Sequence, residues 1–232
     1  MTLAQLIASF REVADDLGAP PLWSDTALTF WANEAQHEAA RRARLFLDSS
    51  TDATCKITIT AGTASYPVDS RVIFVRRAKL ESLTIPLSKI NLRDMDTVYP
   101  GWESSADSTP GHWMPTGDHE ITLYPTPIAN DVLRLQVIRE PLEDMAPAID
   151  NVDPDPDVPA VDPEIPSRMQ FRLVDWMLYR ALMVRDKEEK YDPKSAKEYL
   201  ASFEAEFGKP SSAIDETWIN REHGYDDYEG LF

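Results

Sequence analysis

The residues best suited to chemistry in this chain are its four histidines, its single cysteine and its forty carboxylates. His37, His112, His119 and His223 show no HExxH spacing or other metal-ligand pattern, so each reads as an ordinary polar side chain. Cys55 stands beside a predicted strand, where a small buried side chain is the simpler reading than a nucleophile, and alone it excludes an intrachain disulfide and a Cys-rich zinc site. No GxxxxGK[ST], GxGxxG or GxSxG occurs, so neither a phosphate loop nor a serine nucleophile elbow is present. A glycosidase needs only two carboxylates at a suitable separation, but abundance alone selects no pair. Glu34 and Glu38 share a helix face at i, i+4, with Arg41 and Arg42 close enough to form ion pairs with them. The sequence therefore names no catalytic, cofactor or metal residue.

Charge narrows the partners. Lys+Arg of 23 against Asp+Glu of 40 gives −17 and a pI near 4.5, which opposes nonspecific attraction to nucleic acid or an anionic membrane. The local basic features are Arg41, Arg42 and Arg44, and Arg76, Arg77 and Lys79; neighbouring Glu38, Asp48 and Glu81 make salt bridges within or between subunits the simpler reading. In the predicted long loops, Trp102, His112, Trp113 and Met114 lie among Gly and Pro, as interface residues or as loop side chains closing a core. Arg41, Arg42, Trp102 and Trp113 are accordingly candidates for a subunit or tail interface.

Helices must position these groups at both ends of the chain. The most apolar segment, Phe171 to Val184, carries Phe171, Val174, Leu178, Ala181 and Leu182 on one face; its charges Arg172, Asp175 and Arg180 exclude a plain membrane span of about 20 apolar residues. Ser167 with Gln170 predicts a capping box at its start. Leu3, Leu6, Ile7, Phe10, Val13, Ala14 and Leu17 predict a first helix, capped by Thr2 and Gln5. A second is predicted from Ser24 to about Leu47, with Leu28, Trp31, Ala35, Ala39, Ala43 and Phe46 on its face. A fourth opens on Asp192 and Pro193 and closes at Gly208.

Between the helix hairpins the period changes to two at Lys56–Thr60, Arg71–Leu80, Glu120–Tyr124 and Val132–Ile138, with one short helical turn over Asn91–Tyr99. Frequent Pro and Gly between these strands predict a small antiparallel sheet or sandwich. The expected organisation is α+β: a helix hairpin over 1–49, an inserted β region over 50–140, an acidic Pro-rich linker over 141–166, a second hairpin over 167–208 completing a four-helix bundle, and an extended C-terminal arm over 209–232. That arm sets Ile214, Trp218, Ile219, Tyr225, Tyr228 and Phe232 among acids, a pattern suited to docking in a partner's groove or to folding back on its own bundle. No export signal is visible in MTLAQLIASFREVADD.

Taken in order, LWSDTALTFWANEAQHEAARRARL, CKITITAGTASYPVDSRVIFVRRAKL, ITLYPTPIANDVLRLQVIREPL and EIPSRMQFRLVDWMLYRALM resemble the head-to-tail adaptor (connector) proteins of tailed bacteriophages, those in which a helical bundle holds a β insertion. The likeness covers nearly the whole chain. It implies a structural virion protein, made in the host cytoplasm, that forms a homo-oligomeric ring of about twelve copies, a dodecamer, beneath the portal. It further implies a C-terminal arm docked on the portal, a platform for the tail nozzle or tube, and a channel through which DNA passes without sequence-specific binding. No catalytic residue, cofactor or membrane contact is implied. The alternatives are a peptidoglycan-degrading glycosidase and an assembly factor absent from the finished virion.

Overall fold

The computed structural model describes residues 1–117, 119–147, 160–185 and 190–212. Over these the chain is mixed α+β, with six α-helices and two four-stranded sheets, and it divides into a helical unit, residues 1–45 and 141–210, and a β unit that includes residues 46–140.

In the helical unit, α1 (Leu3–Val13) starts on the expected capping box: Thr2 Oγ1 accepts from the Gln5 backbone N–H at 3.2 Å and Gln5 Oε1 from that of Thr2 at 2.8 Å. Helix α2 (Asp25–Ala43) is capped by Ser24, whose Oγ accepts from Ala27 N–H at 3.2 Å. It stops earlier than the apolar pattern predicts, because Arg44 turns into the left-handed region at φ 50° and closes the helix. Phe46 is consequently a strand residue and not part of the helix face.

The central helix is α5, Arg172–Leu182, which starts after the predicted cap at Ser167 and stops two residues before Val184. The Ser167–Gln170 box does not form: Phe171 is the cap residue without a side-chain cap bond, and the Gln170 amide donates instead to the carbonyls of Pro163 and Ile165, at 3.3 and 2.8 Å. Leu173, Val174, Trp176, Met177, Leu178 and Ala181 are buried, whereas Phe171 at the helix start is half exposed. Helix α5 touches α1, α2 and α6 (Pro193–Phe207). Asp192 caps α6 through Lys194 and Ser195 N–H, Pro193 opens it, and Gly208 at φ 85° ends it.

The predicted solvated linker is packed at its described ends. Met145 and Ile165 are buried, Ala146 and Val161 form an antiparallel bridge, and Met145 exchanges hydrogen bonds with the Asn33 side chain. Apolar residues at both ends anchor the segment; residues 148–159 lie outside the described ones.

The β unit begins with β1 (Phe46–Asp48), a short helix α3 (Asp52–Cys55), β2 (Lys56–Ile59), β3 (Ser65–Pro67) and β4 (Val72–Leu80). Then come β5 (Ser88–Lys89), α4 (Leu92–Val98), a 3-10 turn at Trp102–Ser104, β6 (His112–Gly117), β7 (Glu120–Tyr124) and β8 (Asp131–Arg139). The first sheet is organised on β8, which pairs antiparallel with β4 on one edge and with β1 and β2 on the other. The second has the order β3-β7-β6-β5, antiparallel except for the parallel pair of β5 with β6. The sheets share one core: Ile59, Val75, Ala78, Leu133, Leu135 and Val137 from the first meet Tyr66, Trp113, Ile121 and Leu123 from the second. All four strands predicted from period-two alternation are present, and Asn91 caps α4 through Asp94 N–H at 2.8 Å. The segment predicted as an aromatic loop at His112 is instead strand β6, held between β5 and β7.

Candidate interaction surfaces

Arg42 is an internal clamp of the helical unit. Its side chain is 5% exposed, its Nε and Nη2 each lie 2.7 Å from Glu38 Oε2, and its guanidinium carbon lies 5.0 Å from the Trp176 ring centroid and 5.4 Å from that of Phe203. A planar cation between an acid and two aromatic rings joins α2 to α5 and α6. Arg41 pairs with the other Glu38 oxygen at 2.7 Å and is the more exposed of the two arginines. Glu34 accepts from Trp176 Nε1 at 3.2 Å and from Arg180. Glu34 thus ties α2 to α5, while Glu38 pairs with the two arginines of its own helix.

Trp113 is 1% exposed and belongs to the shared core of the two sheets, because the alternation of β6 turns it inward. Its ring packs in that core, with Lys89 Nζ 5.7 Å from its centroid. Trp102 behaves differently. It sits half-buried in the 3-10 turn, its Nε1 donates to Asp96 at 3.0 Å, and its ring stands edge-on to Tyr124 at 6.3 Å and 90°. Tyr124 in turn stacks on His112 at 6.3 Å and meets Tyr99 at 5.1 Å, while the Tyr99 hydroxyl lies 2.9 Å from His112 Nε2. Ile214, Trp218, Ile219, Tyr225, Tyr228 and Phe232 lie outside the described residues.

Beside this aromatic group lies the outer face of the second sheet, where Ser65 and Thr116 are exposed and Met114 and Thr122 are buried. Ser65, Thr122 and Met114 are cross-strand neighbours on β3, β7 and β6. Ser65 Oγ lies 2.7 Å from Thr122 Oγ1, which lies 3.0 Å from Thr116 Oγ1. Trp102, Glu103 and Tyr124 flank this hydroxyl row and, with it, line a half-open cleft of about 340 Å³. The Thr122/Tyr124 alternation is the available sequence signal for it; Ser65 is brought in by the pairing of β3 with the distant β7.

The basic cluster on β4 faces a charged sheet surface. Lys79 is opposite Arg134, which is opposite Lys56 on β2. Arg134 is bound to Asp52 and Glu81, both at 2.7 Å, so acids are interleaved with this cationic row. Asp48 and Arg139 form a buried pair at 2.7 Å, with side chains 7% and 8% exposed. Burial pushes the Asp48 carboxyl up, but hydrogen bonds from Ser50, Thr51 and Arg139 outweigh it and hold the group far below the usual carboxylate range. Cys55 is buried and burial raises its thiol, which disfavours the thiolate a nucleophile needs. Among the described residues, no group of three or more His, Cys, Asp or Glu is placed to hold a metal ion.

Asp175, 7% exposed on α5, is shifted the other way: burial raises its carboxyl, and Arg172 at 3.2 Å offsets this only in part. A raised carboxyl costs stability above its folded pKa, and that cost fades as pH falls through it. Asp175→Asn is expected to raise the chemical-denaturation midpoint at pH 7, with the gain shrinking toward pH 4; an unchanged or lowered midpoint at pH 7 would contradict this.

Among the described residues, then, the molecule is an α+β scaffold with several internally paired charges and an aromatic cleft. A family model described as SU10 adaptor protein matches residues 1–222. The chain belongs to the SU10 adaptor protein family, which bears out the resemblance to phage head-to-tail adaptors. No curated protein matches it. No helix among the described residues is long and apolar enough to cross a membrane.

Proposed function

We propose that this chain is a non-catalytic structural subunit of a tailed-phage virion, a ring-forming adaptor that docks on the portal and carries the tail nozzle or tube. The observation that carries this reading is the family match across 1–222, which spans the helical unit, the β unit and the start of the C-terminal arm. The two helix hairpins act in it as a four-helix bundle that fixes the ring, and the ring offers a platform to the tail nozzle or tube. The arm, with Ile214, Trp218, Ile219, Tyr225, Tyr228 and Phe232, docks on the portal, where aromatic side chains bury the most area per residue. A charge of −17 per subunit suits a channel that DNA crosses without adhering, since like charges repel.

Particle mass by native mass spectrometry, for the chain alone and mixed with the portal ring of its phage, tests this. The expected result is a portal carrying about twelve added chains, lost entirely when residues 213–232 are deleted from a chain that keeps its circular dichroism. A chain that stays monomeric and ignores the portal overturns the adaptor reading. Undiminished binding by the deletion variant overturns the docking arm alone.

A further inference from the structure

We propose that the cleft beside Trp102 binds a neutral pyranose unit of an oligosaccharide, an activity that does not depend on the adaptor reading. Its volume of about 340 Å³ falls in the range of about 300 to 1,000 Å³ usual for small-ligand sites. Its two kinds of wall match the two kinds of surface on a sugar ring. Trp102 and Tyr124 in the lining supply aromatic surface for the C–H face of a pyranose, and the exposed Ser65 and Thr116, linked through the buried Thr122, supply hydroxyls for its polar rim. The hydroxyl row has capacity to spare. Three hydroxyls bring three donor hydrogens, and the contacts at 2.7 and 3.0 Å use two, so one donor and several lone pairs are left for a ligand.

The geometry is also held in advance of binding. Asp96 fixes the Trp102 indole through its N–H, while His112 and Tyr99 pack against the Tyr124 ring, so little side-chain freedom remains to be lost. Charge selects the ligand class. Among the described residues none of those lining the cleft is Lys or Arg, which disfavours phosphate, nucleotide and acidic sugars. Glu103 is the one carboxylate in the lining, and hydrolysis of a glycosidic bond ordinarily requires two, so the cleft is assigned binding and not cleavage.

The full chain is to be titrated with neutral tetrasaccharides of glucose and of N-acetylglucosamine, followed by tryptophan fluorescence and saturation-transfer NMR. At least one is expected to bind saturably with a Kd below about 1 mM. Trp102→Ala and the exposed change Thr116→Val are each expected to weaken it, the first on the order of tenfold, with circular dichroism unchanged. Absence of saturable binding up to about 10 mM overturns the proposal, as does binding that both variants leave intact. Occupation of the cleft by a synthetic peptide of residues 213–232, displacing the sugar response at Trp102, would assign it to protein docking instead and overturn the proposal equally.

Discussion

Asp48→Ala is expected to cost the β unit about 3 to 5 kcal/mol. The substitution takes a carboxylate from beside the buried Arg139 guanidinium, whose desolvation the pair at 2.7 Å offsets, and it strips the Ser50 and Thr51 N–H groups of their acceptor. Urea unfolding, with hydrogen exchange along β8 as the local readout, measures the loss. The pH dependence supplies an independent check. The folded carboxyl titrates well below its unfolded value of about 3.9, so its contribution is complete above about pH 5 and disappears as pH falls through the unfolded and then the folded pKa. The variant should therefore show a flatter acid limb than the natural chain. A loss under about 1 kcal/mol with an unchanged acid limb would show that the pair contributes little.

In the helical unit the largest effect is expected at Phe203. Its ring is fully buried, 4.7 Å from Phe207 and 5.0 Å from Trp176, and it forms one side of the Arg42 clamp at 5.4 Å. Phe203→Ala leaves a cavity bordered by a guanidinium, and the expected cost is about 3 to 5 kcal/mol. Thermal unfolding of the variant against the natural chain measures it. A cost near 1 kcal/mol would mean that neighbouring side chains collapse into the space.

Long elements with strong local signals were legible from sequence. Caps at Thr2, Ser24 and Asp192, the helical turn over Asn91–Tyr99 and the period-two runs of β2, β4, β7 and β8 are local features that the fold keeps, whereas the equally local Ser167–Gln170 box gives way to tertiary contacts of Gln170. Strands β1, β3 and β5, of three, three and two residues, are too short to carry a period and exist through their partners. Strand β6 was hidden by Pro115 and Gly117, which flank the register shift where it meets β7; a bulge tolerates the missing proline N–H that a regular ladder would not. Arg44 gave no warning of its left-handed turn, since glycine or asparagine is the usual signal there. Of the surface candidates, Trp102 lines the cleft, Trp113 is core and Arg42 is an internal clamp. Aromatic and basic types mark such residues for contact, but only long-range strand pairing and helix packing decide whether the contact is with the chain itself.

The pairing of Phe46 with Arg139 has a practical meaning for grafting. Facing residues of an antiparallel pair stand about 5 Å apart, so the chain leaves the β unit beside the point where it arrives. Most of residues 46–140 can then be exchanged for a different hairpin-closed insert, or for a linker of a few residues, without asking Leu45 and Pro141 to span a new distance.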